Sequence, residues 1–229
     1  MTGSRGTLAD LEKRITGCQV CPRLRGWCEE VARRKRPMFR EQDYWGKPVP
    51  GFGDPAARMM VLGLAPAAHG ANRTGRVFTG DRSGDWLYRA LFEAGFASQP
   101  ESLRRGDGLT LRDCWVSASV RCAPPANRPL PEEIAACRPF LLEELRRLAR
   151  LRLIVALGRI AWDNLLEIYG LTPRSRHVFS HGHLLDAASG RPALLASYHP
   201  SQQNTQTGRL TREMLDEIFR RARRLLGQP

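Results

Sequence analysis

At 229 residues, 42% of them hydrophobic, the chain is long enough to bury one core by itself, so its fold requires neither disulfides nor a partner. Its 36 Lys and Arg against 23 Asp and Glu leave a formal charge of +13, which favours a polyanionic partner, nucleic acid ahead of an acidic membrane. No run approaches the ~20 apolar residues of a membrane helix, and Met1 to Lys13 lack the apolar core of a signal peptide, so a cytoplasmic protein is expected.

In chain order, helical stretches are expected around Leu8 to Ile15 and Trp27 to Arg36, in an N-terminal segment over about 1–55 that ends in a Pro- and Gly-rich loop, Gly46 to Pro55. Met59 to Leu64 is the first of four short apolar runs that read as strands. The others are Cys114 to Val120, Leu153 to Leu157 and Ala193 to Tyr198. Helical patterns lie between them. One follows Ser83-Gly84-Asp85, with Leu87, Ala90, Leu91 and Ala94 at helix spacing, and another opens at Pro131-Glu132-Glu133 and runs through Ile134, Phe140, Leu141 and Leu145. Ala161 to Tyr169 and Met214 to Leu226 supply two more. Asp186 to Arg191 reads as the turn of a hairpin begun near His177. Strands alternating with helices predict an α/β fold: one domain over 1–229, a three-layer α/β/α sandwich around a central four-stranded, mostly parallel sheet.

In such a sheet, ligands bind beyond the carboxyl ends of the strands, and the polar motifs fall there. Gly63-Leu64-Ala65-Pro66-Ala67-Ala68-His69-Gly70 and Gly75-Arg76-Val77-Phe78-Thr79-Gly80-Asp81 follow the first strand. Arg121-Cys122-Ala123-Pro124-Pro125-Ala126-Asn127-Arg128 follows the second, Gly158-Arg159 the third, and His199-Pro200-Ser201 the fourth. Together these motifs resemble those of the b-type, family 5 uracil-DNA glycosylases, over most of the chain from Cys18 onward.

The resemblance implies a uracil-DNA glycosylase-like fold with damaged DNA, single- or double-stranded, as its partner, the protein being a cytoplasmic monomer that associates with the nucleoid while acting. The expected activity is monofunctional: a base, uracil or another deaminated base such as hypoxanthine or xanthine, is flipped out and its N-glycosidic bond hydrolysed to leave an abasic site. His199 would donate a hydrogen bond to uracil O2 as the bond breaks, and the flipped base would stack on Phe78. The backbone amides of Leu64 and Ala65 would face the pyrimidine edge. Asp81 is expected to orient water or steady the sugar cation, although an Asp just before Ser83 also suits a helix cap. Ala65 stands where the wider superfamily often has an acidic or amide residue that handles water. Ala118 stands where relatives place an Asn that reads the uracil edge, and Ser117 and Ser119 point to the opposite face. Arg76, Arg209 and Arg212 are the expected DNA contacts. The alternative is a cluster-bearing nucleic-acid-binding protein without glycosylase activity.

Six cysteines in a cytoplasmic chain are thiols or metal ligands rather than disulfides. Cys18, Cys21, Cys122 and Cys137 could hold zinc or an iron-sulfur cluster, and their spacing does not decide between the two. The resemblance implies a [4Fe-4S] cluster on these four, structural in role, pinning the N-terminal segment to the region after the second strand. Cys28 and Cys114 remain as buried thiols, with Cys28 close enough in sequence to compete with Cys21. His181 and His183, around Gly182, suggest a surface hairpin rather than a metal pair.

Overall fold

The computed structural model describes residues 6–171, 173–188 and 190–227. Ser189, in the turn expected from Asp186 to Arg191, lies outside them. Two helices open the chain, α1 (Leu8–Thr16) and α2 (Pro22–Arg34). The core then runs β1 (Phe52–Gly53), β2 (Met59–Gly63), α3 (Ala71–Thr74), α4 (Arg82–Glu93), β3 (Cys114–Ala118), α5 (Pro131–Arg147), β4 (Leu153–Leu157) and α6 (Arg159–Ile168). It closes with β5 (Leu184–Leu185), β6 (Ala193–Ser197), α7 (Gln202–Gln206) and α8 (Arg212–Leu226). Among the described residues no helix is long and apolar enough to cross a membrane.

The four predicted strands are β2, β3, β4 and β6, and they pair in parallel. Among the described residues the sheet is nonetheless six-stranded, in the order β1-β3-β2-β4-β6-β5, because β1 and β5 add antiparallel edges. Each edge strand has two residues, too few to leave an alternating pattern in the sequence. The predicted hairpin is the β5–β6 pair, which begins at Leu184 rather than near His177.

Side chains of the central strands alternate between two cores, as the two-residue period of a strand requires. Met59, Val61, Val116, Val155 and Leu195 pack with Leu87 and Leu91 of α4 and with Leu215, Ile218 and Phe219 of α8. Met60, Leu62, Ile154, Ala156 and Leu194 pack on the other face with Leu141 of α5 and Trp162, Leu165 and Leu166 of α6. Both faces are covered, so the strands read as unbroken apolar runs. A third, small core joins Leu24 and Cys28 of α2 to Val120, Cys122, Ala123 and Cys137, tying the N-terminal segment to the chain after β3.

Candidate active site

The parallel strands end level with one another. Gly63 pairs with Ala118 and Leu157 with Ser197, so the segments that follow emerge side by side on one rim. The loop after β2 doubles back through α3 and brings Phe78 over the strand it left. A Cβ on Gly63 would lie 2.6 Å from the Phe78 ring, closer than any side chain tolerates, so only glycine lets the ring settle there. The Phe78 backbone has φ +51°, a left-handed conformation that bulky residues rarely adopt, and its carbonyl sits where a Cβ on Gly84 would be, 1.9 Å away. Strain of this kind persists only where the surroundings enforce it. The enforced position sets the Phe78 ring 5.7 Å from that of His199, centroid to centroid, with 33° between their planes.

His199 follows β6, and its backbone carbonyl accepts a hydrogen bond from Asn204 Nδ2 at 2.8 Å. Desolvation pushes its pKa down to about 4, so the imidazole is neutral at physiological pH and offers one N–H as donor. Asp81 is the N-cap of α4: Gly84 N–H donates to Oδ1 at 3.0 Å. The cap reading therefore holds for one oxygen. Oδ2 is turned toward Gly70, where a Cβ would stand 2.0 Å from it. Burial pushes the Asp81 carboxyl above its ordinary value, opposed by hydrogen bonds from the backbone of Gly84 and Ser83.

Leu64 and Ala65 are half-buried at the rim, and among the described residues no acceptor takes the Ala65 N–H. The methyl groups of Ala65 and Ala68 pack against the small core that holds Cys28, Cys122 and Cys137. Ala118 is buried in the same core as the residues that Phe78 packs on. Its neighbours turn away, as the strand period dictates: Ser117 Oγ donates to Glu144 Oε2 at 2.6 Å and Ser119 Oγ to the Gly63 carbonyl at 3.2 Å.

The three arginines expected on DNA divide. Arg76 is 4% exposed and paired with Asp107 at 2.6 Å, and its other N–H groups reach Thr79 and Ser102. It braces the loop and cannot reach a phosphate, which corrects that expectation. Arg209 and Arg212 are exposed, and neither has an acidic partner within salt-bridge distance among the described residues. Arg209 lies over the Tyr198 ring at 4.7 Å and Arg212 over Trp86 at 5.7 Å. These contacts hold both cations beside the rim.

The four expected ligand thiols gather from three elements. Cys18 and Cys21 precede α2, Cys122 follows β3 and Cys137 lies in α5. Burial first, then the neighbouring Cys137, Cys122 and Cys18, pushes the Cys21 thiol up to about 11. Burial, with Cys122 and Cys18 adding and Arg121 opposing, puts Cys137 at about 11. Arg121 holds this region: its backbone N–H faces Cys137 Sγ at 3.5 Å, and its guanidinium is buried against Ser117 and Glu144. Cys28 donates to the Ala123 carbonyl at 3.6 Å, and Cys114 is buried in the large core, so both are inward-facing thiols as expected. Among the described residues no three His, Cys, Asp or Glu side chains converge on a point as a single metal ion needs.

One part of the rim escaped sequence reasoning. The stretch from Phe39 to Gly46 is strapped onto the loop after β2: Arg73 lies 4.0 Å over Phe39 and donates to Gln42, to the His69 carbonyl and to the Gly80 carbonyl. Tyr44 Oη and His69 Nδ1 are 3.0 Å apart. The adjacent aromatic pair Tyr44-Trp45 in a nonperiodic stretch was the only available signal. Two cavities lie away from the rim. One of about 240 Å³ sits between α1 and the β1 edge, the other, about 540 Å³, between α5 and Pro192.

The model of the uracil DNA glycosylase superfamily matches residues 50–223. A type-5 uracil-DNA glycosylase of Thermus thermophilus is 56% identical over 93% of this chain and 95% of its own. One from Mycobacterium bovis is 50% identical over 99% of this chain and 85% of its own, and one from Pyrobaculum aerophilum 47% over 95% and 93%. A type-4 enzyme of Thermotoga maritima is 31% identical over 74% of this chain and 79% of its own.

Proposed function

The chain belongs to the uracil DNA glycosylase superfamily, and from that footing we propose that it is a monofunctional glycosylase that removes uracil, and deaminated purines such as hypoxanthine and xanthine, from DNA. The observation that carries the reading is the pair formed by Phe78 and His199, a flat apolar face and a half-buried, neutral N–H donor on one rim, with glycine at position 63 making room for the ring. Cleaving an N-glycosidic bond separates charge: the base leaves as an anion and the sugar becomes a cation. A donor fixed in a desolvated site stabilises the anion without reorganising, and contributes several kcal/mol where water would contribute less. His199 fits that part because its imidazole is neutral and keeps one N–H on the ring at neutral pH.

Asp81 Oδ1 is committed to the helix cap, which leaves Oδ2 to hold the attacking water or face the cationic sugar. Its held geometry favours positioning over proton abstraction. Lys13, Lys35 and Lys47 all lie outside the motifs, so no amine is offered for a Schiff base and hydrolysis without strand cleavage is expected. The wider substrate range rests on Ala65 and Ala118. Neither side chain can penalise a base whose edge differs from that of uracil, and strong rejection needs such a buried polar group left unpaired.

We further propose that Cys18, Cys21, Cys122 and Cys137 bind a [4Fe-4S] cluster. The donor set fits in its chemistry: Cys21 and Cys137 each lie within electrostatic reach of Cys18 and Cys122, and four thiolates are the ligands such a cluster takes. Bound there, the cluster supplies a cross-link between the N-terminal segment and the chain after β3. Arg121 then serves to hold Cys137 and the Cys122 loop in place.

The test is single-turnover excision from duplexes carrying one uracil, hypoxanthine or xanthine, with abasic sites cleaved by alkali. His199→Ala is expected to slow excision by about a hundredfold while leaving DNA affinity intact. Wild-type protein that binds these duplexes without releasing a base would mark a binding protein instead.

A further inference from the structure

The His181-Gly182-His183 stretch leads into β5, and the chemistry proposed above uses neither histidine. His183 is packing, its ring edge-on to Trp162 at 5.5 Å. His181 is placed differently. The backbone N–H of Tyr198 donates to His181 Nδ1 at 3.1 Å, and the two rings lie 5.1 Å apart with 35° between their planes. Tyr198 is the residue before His199 and the first beyond the β4–β6 ladder, which ends at the Leu157–Ser197 pair. The N–H that ladder no longer serves is the one His181 takes up.

Accepting that bond fixes the tautomer, since Nδ1 must be bare and the proton must sit on Nε2. Desolvation lowers the pKa of His181, partly offset by the backbone of Met214. His199 is thereby held on both sides. His181 anchors the peptide before it, and Asn204 Nδ2 anchors its own carbonyl. Pro200, next in line, has no N–H and a fixed φ, so little freedom remains for the backbone that aims the imidazole. Arg221 donates to the Gly182 carbonyl at 2.7 Å and keeps the His181 segment itself in register with α8.

We infer that His181 is a positioning residue for His199: by accepting the Tyr198 N–H it holds the His199 backbone at the angle from which the imidazole reaches the leaving base. The inference rests on the reading of His199 as the donor to that base. Displacement of a catalytic group by about 1 Å can cost a hundredfold in rate, so a lost anchor one residue away is expected to show in the chemical step.

The experiment compares His181→Leu with His181→Asn in the full-length protein. Leu fills the volume without accepting a hydrogen bond, whereas Asn presents an oxygen close to where Nδ1 stood. Single-turnover excision is expected to fall about tenfold or more in His181→Leu, with DNA affinity changed by less than about twofold, and to recover most of that loss in His181→Asn. In a His199→Ala background, His181→Leu is expected to cost nothing further, because residues that act as a unit are not additive. Equal rates in wild type and His181→Leu, no recovery in His181→Asn, or an undiminished loss in the His199→Ala background would each overturn the inference. A His199→Ala protein that excises normally would instead sink the reading beneath it. Should His181→Leu fail to fold, nitrogen-15 shifts of the wild-type imidazole decide: an unprotonated, hydrogen-bonded Nδ1 supports the anchor and a protonated Nδ1 overturns it.

Discussion

His199 carries a stability signature separate from its chemistry. Its folded pKa near 4 lies below the ordinary histidine value near 6.5, so the buried neutral ring contributes stability that is complete above pH 6.5 and is lost as the pH falls toward 4. Urea unfolding at pH 7 and pH 4.5 is expected to show a smaller difference in His199→Asn than in wild type. Two neighbouring positions are expected to govern how the base is held. Gly63→Ala puts a carbon into the Phe78 ring and is expected to slow excision tenfold or more, by order of magnitude, as the stacking face is displaced, read by single-turnover rates with melting as the folding control. Ala118→Asn restores an amide at the strand end beside Gly63, and the ratio of uracil to hypoxanthine excision is expected to rise by about tenfold or more. An unchanged ratio would locate discrimination in the loop backbone.

Elements differ in how much of themselves they reveal in sequence. The four parallel strands are legible because burial on both faces makes them unbroken apolar runs, and the longer helices because one stripe faces a core. Edge strands of two residues carry no period, and the Phe39–Gly46 strap is held by contacts to a loop about thirty residues away that no local pattern encodes. Of the candidate site, the glycines, Phe78 and His199 were legible as a motif, while Arg76 was misread for a physical reason. An arginine in a glycine-rich loop looks like a phosphate contact until Asp107, 31 residues on, is seen to bury it. Arg76→Ala is therefore expected to destabilise the fold by about 3–5 kcal/mol, as removal of one partner from a buried pair does, and to leave the salt dependence of DNA binding unchanged. At the junction of α2, α5 and the loop after β3, Cys137→Ala is expected to abolish the broad visible absorbance of the purified protein and most of its solubility. A colourless wild type holding stoichiometric zinc would overturn the cluster proposal.

The positive charge of the whole molecule is not spread evenly in its effect. Buried cations such as Arg76 and Arg121 are neutralised by their own carboxylates, so binding falls to exposed groups, of which Arg209 and Arg212 stand beside the rim. Affinity for DNA is expected to fall steeply with salt, and Arg212→Ala to weaken binding about equally on all sequences while reducing the salt slope by about one. A salt-independent affinity would remove the electrostatic basis of the interface. The spacing of the Phe78 and His199 rings has a consequence for how a base can be seated. A base lying between two ring faces needs a contact of about 3.5 Å on each side, about 7 Å in all, and the rings stand at 5.7 Å. A base stacked on Phe78 is therefore expected to meet His199 edge-on, the approach that a hydrogen bond from the imidazole N–H requires.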